Sequence, residues 1–271
     1  MEIPYKTSEE IELIRISSLL VGKTLAEIAK IIRPGITTAE LDKTAEEFIR
    51  DNGAVPSFKG YKGYPATLCT SVNAEVVHGI PGNKILSEGD IVSVDCGIFI
   101  NGFHGDSAYT FAVGEINESV ARLLRITKEC LYKAIDTCRV GNRIGDISYA
   151  VQEHAEKNGM SVVRELVGHG VGRKLHESPE VPNFGKRGSG PGIKNGLVIA
   201  IEPMINLGKK NVKTLNDGWT VVASDNLPSA HFEHTVAIHN LTTDVLSSFV
   251  EIEKEENKNI NLTKKTSLSE L

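Results

Sequence analysis

Gly89-Asp90-Ile91-Val92-Ser93-Val94-Asp95 and Gly196-Leu197-Val198-Ile199-Ala200-Ile201-Glu202 decide the fold. They lie over one another at an offset of 107 residues, and each runs from a glycine through an apolar stretch to a carboxylate. Short, almost unbroken apolar runs read as strands buried on both faces. Each copy therefore carries one acid to the end of a buried strand. A second match has nearly the same offset. Gly35 over Gly141 also pairs Glu40 with Asp146, Leu41 with Ile147, Glu47 with Glu153, Asn52 with Asn158 and Gly53 with Gly159, without a gap. A unit of roughly 100 residues that occurs twice implies two fused halves about a pseudo-twofold axis, with a shared site between them.

The elements around these strands follow from periodicity. From Ser8 to Ile32, the residues Ile11, Ile14, Ile16, Leu19, Leu20, Leu25, Ile28 and Ile32 predict a long amphipathic helix that Pro34-Gly35 stops. Thr37 and Glu40 form a capping box for a second helix, with Leu41, Ala45, Phe48 and Ile49 on its apolar face and Gly53 at its end. The domain expectation is one catalytic unit over residues 1–250, with halves at about 10–115 and 116–250. Beyond it the stretch 251–271, EIEKEENKNINLTKKTSLSEL, reads as a polar, solvated or loosely docked tail, with a partner-binding helix as the alternative.

Composition narrows the function. The 271 residues hold 30 Lys and Arg against 35 Asp and Glu, a net charge of −5, and 40% are hydrophobic, which excludes disordered and collagen-like chains. No basic stripe exists to neutralise phosphates, so neither nucleic acid nor an anionic membrane is expected as a partner. The longest apolar runs are strand-sized, far short of the roughly 20 residues of a membrane helix. MEIPYKTSEE is acidic and polar where a signal peptide would be basic and then apolar, and Cys69, Cys96, Cys130 and Cys138 form no CxxC pair. These features predict a cytoplasmic enzyme with reduced thiols.

The chemistry lies in carboxylates and histidines. In Gly97-Ile98-Phe99-Ile100-Asn101-Gly102-Phe103-His104-Gly105-Asp106, the Asn-Gly pair predicts a type I′ hairpin that sets Gly97 opposite Asp106. Asp95, two residues before Gly97, then shares a face with Asp106, diagonally about 7 to 8 Å away. His169 lies in Gly168-His169-Gly170 after a strand-like stretch from Ser161 to Val167, where small neighbours let the backbone approach a ligand. Glu202, followed by Pro203, ends a strand, and alternation puts His231, Glu233 and Thr235 on one face. Ionised together, Asp95, Asp106, Glu202 and Glu233 would repel and raise one another's pKa values, whereas two divalent cations would balance them. Oxygen-rich ligation with one imidazole suits Mn, Fe, Co or Mg better than a thiolate-preferring zinc site, and the implied reaction is metal-assisted hydrolysis.

The order Asp95, Phe103-His104-Gly105-Asp106, Gly168-His169-Gly170, Ile201-Glu202-Pro203-Met204 and Phe232-Glu233-His234-Thr235 closely resembles the type I methionine aminopeptidases. Tyr61-Lys62-Gly63-Tyr64-Pro65, Ser71-Val72-Asn73, His78-Gly79-Ile80-Pro81 and Trp219 add to the likeness, which covers roughly Ser8 to Phe249. The resemblance implies the duplicated pita-bread fold: an α+β architecture of two pseudo-twofold-related halves with a central antiparallel sheet and outer helices. It implies two divalent ions, such as cobalt, manganese or iron, bridged by Asp106 and Glu233, with Asp95 on one and His169 and Glu202 on the other. It makes His78 and His176 catalytic contacts to the scissile amide and Glu202 a proton shuttle. Tyr61, Tyr64, Cys69 and Trp219 become walls of a methionine pocket, while Leu175 stands where many members have Phe and Phe58 where some have Cys. The implied substrates are nascent polypeptides with a small second residue, met near the ribosome by a cytoplasmic monomer.

Two other readings remain open. One is a proline-specific peptidase of the same fold, although such relatives usually add an N-terminal domain. The other is a binding module that lost its metals, against which the full set of five ligand types counts. The interval of 33 positions from His169 to Glu202 leaves no room for the insert of type II enzymes, and no N-terminal zinc-finger cysteines occur.

Overall fold

The computed structural model describes residues 2–262. Helices α1 (Ser8–Ile31) and α2 (Thr38–Asp51) lead into strands β1 (Val55–Pro56), β2 (Leu68–Val72), β3 (Glu75–Val77), β4 (Ile91–Ile100) and β5 (Phe103–Ala112). Helices α3 (Glu118–Thr137) and α4 (Ile144–Lys157) precede β6 (Ser161–Val162), β7 (Val167–Gly170), β8 (Glu177–Pro182), β9 (Val198–Ile201) and β10 (Met204–Asn206). Strands β11 (Val212–Thr214), β12 (Val221–Ala223), β13 (Ser229–His231), β14 (His234–His239) and β15 (Thr242–Val245) follow, and α5 (Val250–Lys258) comes last among the described residues. Two helices and then strands thus occur twice. Backbone geometry repeats with them: Gly35 and Gly141 sit at φ 89° and 96°, Gly53 and Gly159 at 70° and 73°, Gly89 and Gly196 at 87° and 85°. These left-handed positions cost glycine little, so both copies of each turn keep it.

Capping boxes at Thr37 with Glu40 and at Thr7 with Glu10 start α2 and α1. Helix α1 buries Ile11, Ile14, Val21, Leu25 and Ile28, whereas Ile16 and Leu19 face solvent despite their apolar character. Its backbone lies directly on β5. A Cβ added at Gly105 would stand 2.4 Å from the Ser18 nitrogen and 2.6 Å from the Ser17 carbonyl carbon, and Ser17 Oγ donates to Phe103 O at 3.1 Å.

Among the described residues the strands form four antiparallel sheets, two of them the three-stranded β13-β10-β6 and β11-β12-β3, and the two larger ones frame the centre. In one, β4 pairs along its length with β5 on one edge and with β2 and β1 on the other; in the other, the order is β15-β14-β9-β7-β8. Side-chain hydroxyls stitch them where β5 meets the β13–β14 segment. Thr235 Oγ1 donates to Asp106 O at 2.8 Å, Ser107 Oγ to Glu233 O at 2.6 Å and Thr110 Oγ1 to His231 O at 2.6 Å, while the Glu233 N–H donates to Ala108 O at 2.9 Å. The seam satisfies buried backbone groups without a continuous ladder and leaves the strand ends of both copies side by side.

The polar tail expected from residue 251 is corrected. Residues 250–258 form α5, which packs on α1 with Ile252 fully buried. Tyr109 Oη donates to Glu256 Oε2 at 2.8 Å, Lys128 pairs with Glu253, and Asn259 Nδ2 donates to Ala29 O and Ile32 O at 2.8 Å each. The last two bonds satisfy carbonyls that the end of α1 leaves without intrahelical partners. Polar groups hold this segment, which is why its composition read as solvated. The rest of the expected tail, 263–271, lies outside the described residues.

The contact between α1 and β5 yields a prediction. Gly105→Ala forces a methyl group into the α1 backbone and should cost about 1–3 kcal/mol, the usual scale of overpacking. Thermal denaturation followed by circular dichroism checks this, and an unchanged Tm would contradict the close approach.

Candidate metal centre and its apolar pocket

The hairpin forms as its sequence predicts. Asn101 and Gly102 have φ 54° and 83°, and Gly97 pairs with Asp106 and Asp95 with Ala108, so both acids point from one face of β4–β5. Glu202 follows β9, whose Ile201 pairs with His234 of β14. Glu233 sits in the short break between β13 and β14, its backbone held by the hydroxyl seam. His169 lies within β7 rather than after a strand, because the stretch from Ser161 is interrupted between β6 and β7. The glycines beside it admit strands, not a ligand: a Cβ at Gly168 would lie 2.5 Å from Ala200 O, and one at Gly170 would lie 2.4 Å from Ser178 O.

The five candidate ligands converge. Asp106, His169 and Glu233, all buried, each offer one ligand atom within 4.8 Å of the others. His169 Nε2 stands 3.8 Å from Asp106 Oδ2 and 3.6 Å from Glu202 Oε1. Buried Oδ1 atoms of Asp95 and Asp106 have no hydrogen-bond partner. Burial first, and the charges of neighbouring acids second, push the Asp106 and Glu233 carboxyls well above the usual carboxylate range, and burial with Asp95 does the same to Glu202. Burial is also the main cause of the rise at Asp95.

The donor set fits a divalent ion. His169 Nδ1 donates to Gly170 O at 2.9 Å, which leaves Nε2 as a lone pair aimed at the carboxylates. Burial holds its pKa down at about 4, so the ring stays neutral. A lone pair and unpaired carboxylate oxygens crowded together need positive charge between them, and no Lys or Arg faces them within salt-bridge distance among the described residues.

The residues that the resemblance makes walls of a pocket lie together. Phe58, Tyr64, Ala66, Cys69 and Leu175 form a buried cluster apart from the main core, with Tyr61, Ile80 and Trp219 packed on it. Tyr64 stacks edge-on to Trp219 at 5.1 Å, and its hydroxyl donates to Leu68 O at 2.9 Å. Burial pushes the Cys69 thiol up, so it remains a small protonated hydrophobe. Phe58 seats against Gly97, whose added Cβ would lie 2.5 Å from its ring, so both it and Leu175 line the same cluster.

Two links join pocket and carboxylates. Cys69 is the cross-strand partner of Asp95, and His176 Nδ1 meets the Tyr61 hydroxyl at 2.9 Å while its ring lies 4.1 Å from that of His169. His78 stands 6.3 Å edge-on from Trp219 with a left-handed φ of 59°, a strained conformation for a non-glycine residue, and burial lowers its pKa. Three neighbours lay outside the residues assigned roles from sequence: Ala66, Ile80 and His231. His231 Nε2 is 3.6 Å from Glu202 Oε2 and 4.0 Å from Glu233 Oε2, and the alternation over 231–235 was the signal for it.

Several proteins are similar to this chain. A methionine aminopeptidase of Clostridium perfringens is 56% identical over 233 residues, which cover 86% of this chain and 94% of that protein. The crystal structure of methionine aminopeptidase from Rickettsia prowazekii matches with a TM-score of 0.90 and 37% identity, covering 91% of this chain and 100% of that one. A prolidase from Pyrococcus furiosus shares the fold at a TM-score of 0.75 and 24% identity, but only 65% of it is covered. The fold is thus the α+β pita-bread fold of these structures. Because the match to metallopeptidase family M24 runs over residues 12–240 and takes in every candidate ligand from Asp95 to Glu233, the chain belongs to that family of divalent-metal peptidases.

Proposed function

We propose that this chain removes the N-terminal methionine from peptides and nascent polypeptides whose second residue is small. The observation that carries this reading is the junction of an apolar pocket with the carboxylate cluster, made by the Cys69–Asp95 pair and the Tyr61–His176–His169 contacts. In this reading Asp95, Asp106, His169, Glu202 and Glu233 would hold two divalent ions, with Asp106 and Glu233 shared between them. Such ions lower the pKa of a water toward about 7 and polarise the scissile carbonyl.

The chain's own groups do the rest. A slot walled by Tyr61, Tyr64, Cys69, Trp219, Leu175 and Phe58 accepts an unbranched, flexible thioether and excludes β-branched side chains, whose χ1 is stiff. The acidic cleft attracts the free α-amino group. His176, steadied by the Tyr61 hydroxyl, and His78 are neutral rings that hydrogen-bond the scissile amide and the tetrahedral intermediate. Glu202 would carry a proton from the attacking water to the leaving amine. A bulky second residue would crowd the two histidines.

The same reading makes residues 10–115 and 116–250 two halves of one catalytic unit, the first supplying Asp95 and Asp106, the second His169, Glu202 and Glu233. It places the chain as a monomer in the cytoplasm, near ribosomes, where new chains still carry methionine. No helix among the described residues is long and apolar enough to cross a membrane.

Three outcomes are expected. Mass spectrometry should show Met released from Met-Ala-Ser but no cleavage of Ile-Ala-Ser or acetyl-Met-Ala-Ser; preferential cleavage of Ala-Pro would instead assign a proline peptidase. Exhaustive dialysis against EDTA should abolish turnover, and full activity afterwards would contradict the two-metal reading. Asp106→Ala and Glu233→Ala should lose metal, measured by elemental analysis, whereas His176→Ala should keep it and lower kcat by about 10²- to 10⁴-fold, the usual scale for positioned polar catalysis.

A further inference from the structure

Glu202 lies between two imidazoles of opposite character. Its Oε1 faces His169 Nε2 at 3.6 Å and its Oε2 faces His231 Nε2, also at 3.6 Å. The His169 proton is fixed on Nδ1 by the Gly170 carbonyl, so its Nε2 has only a lone pair to offer Oε1. His231 is different. It is 1% exposed, its Nε2 has no hydrogen-bond partner, and the carboxylate oxygens Glu202 Oε2 and Glu233 Oε2 face that nitrogen at 3.6 and 4.0 Å. With both carboxylates ionised, as a bound cation would hold them, a bare lone pair there would face two acceptors, whereas an Nε2–H faces two partners.

We propose that His231 is a positioning residue whose Nε2–H donates to Glu202 Oε2, holding that carboxylate as a one-oxygen ligand through Oε1. The inference rests on the metal-centre reading above. Glu202 stands immediately beyond the end of β9 and a free carboxylate there would rotate; a donor on one side and a metal on the other fixes its plane. The 3.6 Å separation is outside hydrogen-bond range, and contacts of this kind commonly tighten when a site fills. His231 has a fixed seat for the task. Its backbone N–H and C=O are both bonded to Thr110 Oγ1 in the hydroxyl seam, at 3.1 and 2.6 Å. The seam that joins the two ladders therefore also aims this ring.

The test compares donor chemistry at one position by calorimetric titration of the metal-free protein with Mn(II) or Co(II). His231→Gln keeps a neutral N–H donor and should bind within about threefold of wild type. His231→Leu and His231→Met fill the space without a donor and should weaken one of the two ions by about 10- to 100-fold, the usual cost of losing an outer hydrogen bond to a ligand. The Co(II) absorption spectrum of the Gln variant should match wild type, while those of the apolar variants should not. Equal loss in all three would make His231 a direct ligand, and wild-type affinity in an apolar variant that folds would make it packing only; either result overturns the proposal. Wild type failing to bind two ions would contradict the metal-centre reading itself, independently of His231.

Discussion

Mutual repulsion among Asp95, Asp106, Glu202 and Glu233 is the constraint on which the rest of this structure depends. Burial raises the pKa of each, and neighbouring acids raise those of Asp106, Glu202 and Glu233 further, so the folded chain alone holds these groups at a cost in free energy. They stay together because each is attached to a part of the sheet that is rigid for other reasons. Asp95 and Asp106 are fixed by the β4–β5 hairpin, Glu202 by the end of β9, and Glu233 by the seam to β5. The seam uses serine and threonine hydroxyls, which satisfy backbone groups without adding charge beside the acids.

The same economy governs the surroundings. Among the described residues no Lys or Arg is paired with the cluster, and one there would compete with metal. The aromatic pocket instead begins at the carboxylates themselves, with Cys69 opposite Asp95 in one ladder. On the proposed reading, specificity and chemistry are built on the neighbouring strands β2 and β4, and a side chain seated in the pocket would carry its peptide bond toward the acids.

Much of this was legible in the sequence because it is local or periodic. Asn101-Gly102 specifies a turn type, the turn specifies register, and register puts Asp95 and Asp106 on one face. The repeat paired α2 with α4 and β4 with β9. What escaped was decided by tertiary contact. Helix α5 is held by Tyr109, Lys128 and Asn259, polar partnerships between distant segments that hydropathy does not register. Gly168 and Gly170 looked like space for a ligand and proved to be space for β9 and β8. His231 could be placed on the face of Glu233, but its opposition to Glu202 depends on two strands 29 residues apart meeting at the same point.

Thermal unfolding as a function of pH, with and without metal, tests the central claim most directly. The folded pKa values of these acids lie above their unfolded values of about 4, so over that interval the folded chain binds more protons than the unfolded one, and its stability falls as pH rises. Dialysed against EDTA, the protein should show a Tm that declines from pH 7 to pH 8, above the range in which the buried neutral His104, His169, His176, His231 and His234, with pKa values held below that of a free imidazole, make stability rise with pH, and saturating Mn(II) or Co(II) should remove the decline. Parallel curves, or a metal-free Tm that rises over that range, would contradict an account in which four buried carboxylates can be charged together only around the ions they hold.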